Sequence, residues 1–124
     1  MGKIKASKPF LRWFKLQEFA CKDDPFSYRE MEEGFIKRLD FAREIANCPF
    51  IIVKGHETKN RDNMYSSHPK GVAVNIKVKN RKQRYNIIES LLKARFNRIG
   101  LKKDGSEIHV DFDEDLSSDQ FWMF

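Results

Sequence analysis

Val72-Ala73-Val74-Asn75-Ile76-Lys77-Val78 constrains this chain more than any other stretch, because so regular an alternation suits a β-strand with one apolar face. Val72, Val74, Ile76 and Val78 point one way, and Ala73, Asn75 and Lys77 point the other. Such a half-buried strand needs neighbours to share its backbone hydrogen bonds and a layer to cover its apolar side.

Candidates for both lie on either side of it. Phe50-Ile51-Ile52-Val53 follows Pro49 as a continuous run of aromatic and β-branched residues and reads as a buried strand. Ile99-Gly100-Leu101 and Ile108-Val110-Phe112 flank Asp104-Gly105, a dipeptide suited to a tight hairpin turn. Ser27-Tyr28-Arg29-Glu30 has the form of a capping box and opens a helix with Met31, Phe35, Leu39, Ala42 and Ile45 at helical spacing, ending near Asn47. A second helix is predicted from about Arg81 to Phe96, with Tyr85, Ile88, Leu92 and Phe96 on its apolar face. Gly55 to Ser67 has no periodicity and reads as a loop of functional length. The expectation is an α+β fold with a small, mostly antiparallel sheet and two main helices, in a single domain over residues 1–124.

With 124 residues, 40% of them hydrophobic, the chain can build one core but not two. No apolar run approaches the roughly 18–20 residues of a membrane span, and the start, Met1 to Arg12, lacks the apolar stretch of a signal peptide. Cys21 and Cys48 match no metal or redox spacing and are expected as reduced thiols. The net charge of +6 is uneven. Residues 1–15 hold Lys3, Lys5, Lys8, Arg12 and Lys15 with no acid, whereas residues 111–124 hold five acids with no base. That basic N-terminal segment either pairs with the acidic end or meets an anionic polymer, such as nucleic acid or a bacterial envelope polymer. Charge does not choose between them, and nucleic acid is the less favoured partner.

Familiar catalytic signatures are absent. His56-Glu57-Thr58-Lys59-Asn60 begins like a zincin helix but lacks the second histidine, and no glycine-rich phosphate loop or nucleophile elbow occurs. What remains is a pair of histidines. His109 shares a strand face with Glu107, Asp111 and Asp113, and His68 stands just before the Pro69-Lys70-Gly71 turn that leads into the strand carrying Asn75. If the two strands are neighbours, His68, Asn75 and His109 converge, and two imidazoles plus one oxygen ligand make up a catalytic zinc site. The alternative reading of His109 is a solvated histidine among acids.

Ser66-Ser67-His68-Pro69-Lys70-Gly71-Val72-Ala73-Val74-Asn75-Ile76 resembles the S-x-H-x-x-G-x-A-x-D signature of the zinc D,D-carboxypeptidases and L-alanyl-D-glutamate endopeptidases, the VanY-like peptidases common in bacteria and phages. Phe14-Lys15-Leu16, Glu18-Phe19, Ala42-Arg43-Glu44-Ile45, Pro49-Phe50-Ile51-Ile52, Arg98-Ile99-Gly100, Ile108-His109-Val110-Asp111 and Trp122 resemble the small phage-type members in the same order, over nearly the whole chain. The resemblance implies the Hedgehog/D,D-peptidase fold, a Zn²⁺ cofactor and hydrolysis of peptidoglycan stem peptides. It also implies a monomer that stays in the cytoplasm until released to act at the bacterial cell wall.

Carried over by position, His68 and His109 take the two histidine-ligand places and Asn75 takes the place of the aspartate ligand. A neutral amide oxygen is a poor zinc ligand beside a carboxylate. Glu57 stands where the family has an arginine that stabilises the oxyanion, and a carboxylate there opposes that charge. Ser106 stands where many relatives have the acidic general base, leaving Glu107, on the same face as His109, as the first substitute and Asp104 as the second. Asp111 is an alternative third contact for the metal. Three departures, each against a separate part of the mechanism, imply a peptidase scaffold weak or impaired in hydrolysis. A non-catalytic module that binds a wall peptide or a protein on the same scaffold is the alternative, and a basic nucleic-acid-binding domain the third.

Overall fold

The computed structural model describes residues 2–4 and 11–124. Lys5, Lys8 and Phe10 of the basic N-terminal segment lie outside them. Two 3-10 turns, Leu16–Phe19 and Ser27–Glu30, precede α1 (Glu33–Ala46), followed by β1 (Ile52–Lys54), β2 (Ala73–Lys77), α2 (Arg81–Lys93), β3 (Arg98–Leu101), β4 (Glu107–Asp111) and β5 (Gln120–Met123). The strands form one five-stranded sheet in the order β1-β2-β4-β3-β5.

The α+β class holds, but the sheet is mixed rather than mostly antiparallel. β1–β2, β2–β4 and β3–β4 pair antiparallel, and β5 joins β3 in parallel, with Gly100 opposite Trp122. Phe121 and Trp122 belong to this edge strand and Phe124 follows it, because the backbone of 120–124 finds partners in Asn97 and Leu101.

Val74, Ile76, Ile99, Ile108 and Val110 face the two helices and form the core with Phe35, Ile36 and Leu39 of α1 and Ile87 and Leu91 of α2. β2 is an interior strand between β1 and β4, and Ala73, Asn75 and their neighbours are buried on both faces while only Lys77 is exposed. The strand at Phe50–Val53 is different from expectation. Phe50 alone is buried, and β1 lies at the sheet edge with Val53 47% exposed.

Both helices begin or turn differently from their sequence pattern. Ser27 does not cap α1, because its hydroxyl accepts the Cys21 N–H at 2.8 Å, and Met31 is extended, so the helix starts at Glu33. It ends where Asn47 adopts a left-handed conformation and donates back to Arg43. Asn80 caps α2 by accepting from the Gln83 N–H, and Arg95 at φ 72° ends it before Phe96. The buried face of α2 is Ile87, Ser90 and Leu91, whereas Tyr85 is 71% and Leu92 57% exposed. Its apolar residues form two adjacent stripes; α1 covers the first, and the second borders a shallow groove beside Phe121. Among the described residues no helix is long and apolar enough to cross a membrane.

Where they are described, the charged termini do not pair with each other. Lys3 meets Glu32 and Arg12 meets Glu44, while Asp111 is paired with Arg98 and Asp113 and Asp115 with Lys70.

Candidate functional site

The sheet face turned away from the helices carries the polar residues, and its strand register lines them up. Asn75 of β2 stands opposite His109 of β4, His109 opposite Gly100 of β3, and Gly100 opposite Trp122 of β5. Residues opposite one another across a sheet project to the same side. The row therefore collects an amide, an imidazole and an indole, and Gly100 is what allows the indole in. A β-carbon at Gly100 would stand 2.8 Å from the Trp122 ring. Without one, the indole lies 5.5 Å from the His109 ring, with the Arg98 guanidinium 5.0 Å over its face.

His68 reaches this row from the turn before β2. Gly71 closes the turn by donating its N–H to the His68 carbonyl and accepting from the Glu32 N–H. Its φ of 77° and the Glu30 carbonyl, which a β-carbon here would overlap, leave room for no other residue. Beside the turn the Ser67 hydroxyl donates to Asp113 at 2.6 Å, and the Lys70 ammonium bonds both Asp113 oxygens. Burial raises the Asp113 pKa, but these bonds outweigh it and hold the carboxyl below its usual range.

The turn places the His68 ring 5.4 Å from that of His109. His68 Nδ1 lies 2.8 Å from the Gly55 carbonyl, so this nitrogen carries the hydrogen and Nε2 keeps its lone pair. Burial pushes its pKa down to about 4, against the opposing pull of the Gly55 carbonyl, and the ring is neutral at neutral pH.

His109 is held from both sides. Its Nδ1 is 2.9 Å from the Asn75 side-chain oxygen, and its Nε2 is 2.7 Å from Asp111 Oδ2. The Asn75 orientation follows from its other contact, since its amide nitrogen donates to Glu107 Oε1 at 3.2 Å. Asp111 is also bound by the Arg98 Nε–H at 2.7 Å. Burial raises its pKa, yet the bonds from His109 and Arg98 prevail and keep it an anion. Arg98 and Asp111 stand opposite each other in the hairpin register, a relation that the hairpin signal implies but that sequence reading did not draw.

The structure thus brings His68, Asn75, His109, Glu107 and Asp111 to one place. Glu57 lies close enough for its charge to act on His68, and it pairs with Lys54 at 4.0 Å. Glu107 divides its oxygens between Asn75 and Lys102. Ser106 and Asp104 belong to the β3–β4 turn, where Asp104 Oδ1 accepts from both the N–H and the hydroxyl of Ser106. His56, outside the row, is buried, and its Nδ1 has no partner among the described residues.

These contacts bear on whether the three residues suit a zinc ion, which takes neutral imidazole nitrogens and, in sites of this composition, a carboxylate. His68 Nε2 suits it. His109 does not as arranged: its two nitrogens already face side-chain oxygens, Nδ1 that of Asn75 and Nε2 that of Asp111, so neither is open towards a metal. The Asn75 oxygen is committed to His109, and a neutral amide offsets none of the metal charge. The donor set as it stands does not fit a catalytic zinc. What it does form is a polar wall with a histidine acceptor, an anion held by arginine and an indole.

No family model matches the chain, no curated protein matches its sequence, and no solved structure matches its fold.

Proposed function

We propose that this chain is a peptidase-like protein of the peptidoglycan stem-peptide hydrolase type, on a scaffold resembling the zinc D,D-peptidases, with hydrolysis weak or lost. One observation carries the reading: the Asn75 amide bridges His109 Nδ1 and Glu107 Oε1. In the metal-ligand pattern that the motif resembles, a carboxylate at this position would hold zinc together with the two histidines. The amide instead gives a ligand histidine and the nearest available base a hydrogen-bond partner each, so both are satisfied without a metal.

A wall peptide is the ligand in this reading. His68 Nε2 accepts a peptide N–H, Trp122 supplies an aromatic surface, and Lys54 and Lys102 at the rim attract carboxylates of the stem. Both lysines are partly exposed and already lie beside Glu57 and Glu107. The protein acts at the bacterial cell wall after release from the cytoplasm, whether bacterium- or phage-encoded.

The test is a pair of measurements on the purified protein with a synthetic stem pentapeptide, with and without added zinc. Saturable binding with little or no cleavage is expected. Rapid cleavage with one tightly held zinc per chain would replace this reading with that of an active metallopeptidase, and absence of binding would remove the wall peptide as ligand.

A further inference from the structure

A second surface, at the opposite end of β4 from Asp111, carries most of the excess positive charge. The end of β2, the first turns of α2 and the β3–β4 turn meet there. The Val78 N–H donates to the Ser106 carbonyl, and the Arg84 guanidinium lies over Gly105, 2.5 Å from where a β-carbon would stand. Lys77, Lys79, Arg81, Lys82 and Lys103 are exposed around this junction. With Arg84 they make six bases, and none forms an ion pair among the described residues. The undescribed residues, Met1 and 5–10, contain no acid that could supply one. The acids nearby are few: Glu107 is paired with Lys102, Glu89 with Lys93, and only Asp104 is left, bound to Ser106 within its own turn.

This placement runs against the local interest of the helix. α2 has no acid in its first turn, and Arg81 and Lys82 sit where the helix dipole disfavours positive charge. A run of mutually repelling bases at that position adds to the cost. Stability of the fold does not account for the cluster, whereas an anionic partner does.

The same surface presents a flat ring. Tyr85, one helical turn from Arg81, is among the most exposed aromatic residues of the chain. It lines an open cleft with Lys82, Asn80, Gln83, Asn86, Cys48 and Glu89, the last of these paired with Lys93. Asn80 and Gln83 spend their side-chain oxygens on backbone N–H groups, which leaves their amide N–H groups to donate. An aromatic face, amide donors and unpaired cations together suit a base and the phosphates on either side of it.

We propose that this surface binds single-stranded nucleic acid, with the bases of the β2–α2 junction tracking the phosphates and Tyr85 stacking on a nucleobase. Phosphate contacts provide the attraction and stacking the preference for unpaired strands, since a duplex keeps its base faces covered. The proposal is independent of the reading of the histidine cleft.

Fluorescence anisotropy with a labelled oligothymidylate of about 20 nucleotides tests it. With about four phosphates engaged, affinity should fall about 50-fold between about 50 and 200 mM salt. The triple variant Lys79→Glu, Arg81→Glu, Lys82→Glu should lose at least about 20-fold at the lower salt, with thermal unfolding showing that it stays folded. Tyr85→Ala should lose about fivefold or more with the salt slope unchanged, and Tyr85→Phe should retain binding. No binding of the oligonucleotide, or binding indifferent to the charge reversals, overturns the proposal. So does a poly(glycerol phosphate) that competes equally well while Tyr85→Ala has no effect, which would assign the surface to a wall polymer instead.

Discussion

Trp122 lies across Gly100, so close that a β-carbon on the glycine would stand 2.8 Å from the indole. The contact joins the edge strand to the site, since the same ring faces His109 and Arg98. Gly100→Ala should displace the indole and destabilise the fold by about 1–3 kcal/mol, the usual cost of overfilling a packed contact. Denaturant unfolding followed by tryptophan fluorescence measures both effects, and an unchanged midpoint and spectrum would mean that the ring is not held there.

Asn75→Asp replaces a donor facing Glu107 with a second carboxylate and restores a charged oxygen beside His109. Without metal the variant should be less stable than the wild type, because two carboxylates then face each other. With metal the order should reverse, and zinc should bind about tenfold or more tightly than in the wild type. Hydrolysis should stay low until Glu57→Arg and Ser106→Asp are added. Calorimetric zinc titration checks the metal step, and equal affinities would place Asn75 outside any metal shell.

Acid should weaken the fold in two stages. His68 has a folded pKa of about 4 against 6.5 for a free histidine, so the unfolded chain takes up the proton first. Stability is complete above about pH 6.5 and declines as pH falls towards 4, by about 3 kcal/mol in all. His56, pushed down by burial, adds to the same decline. Below it, Asp111 and Asp113, both held under their usual range, lose their contributions in turn. Chemical unfolding across pH 3 to 8 with a chelator present should show this slope, and His68→Asn should flatten it between pH 6.5 and 4.5.

Asp111→Asn should be more damaging than any of these changes. It leaves Arg98 without its carboxylate partner and changes the acceptor at His109 Nε2, in a place where the Asp111 side chain is 1% exposed. Breaking a buried ion pair by removing one member costs about 3–5 kcal/mol. Loss of the cooperative unfolding transition below ordinary temperatures is the expected extreme, and a midpoint within a degree or two of the wild type would show that the pair contributes little.

Alternation made β2 and the polar face of β4 readable, and with them the convergence of His68, Asn75 and His109. Other features depend on partners distant in sequence. Ser27 has the form of a cap, but Cys21 takes its hydroxyl, and nothing local announces that competition. Tyr85 and Leu92 fit a helical stripe as well as Ile87 and Leu91 do, and only the position of α1 decides which stripe is covered. β5 has only four residues, and its parallel pairing is set by β3 rather than by its own pattern. Arg98 and Asp111 look like two ordinary surface charges until the hairpin register sets them opposite each other.

The order of the strands has a kinetic consequence. β3 and β4 are joined by a short turn and can pair early, which positions His109, Asp111 and Arg98 relative to one another within a few microseconds. Asn75 lies 34 residues from His109, with α2 between them, so its contact waits for a long loop to close. Substitutions in the hairpin should therefore slow folding, whereas those at His68 and Asn75 should mainly speed unfolding. By the same reasoning the cleft should open first when the protein comes apart, and a peptide bound between His68 and His109 would be felt above all as a brake on that opening.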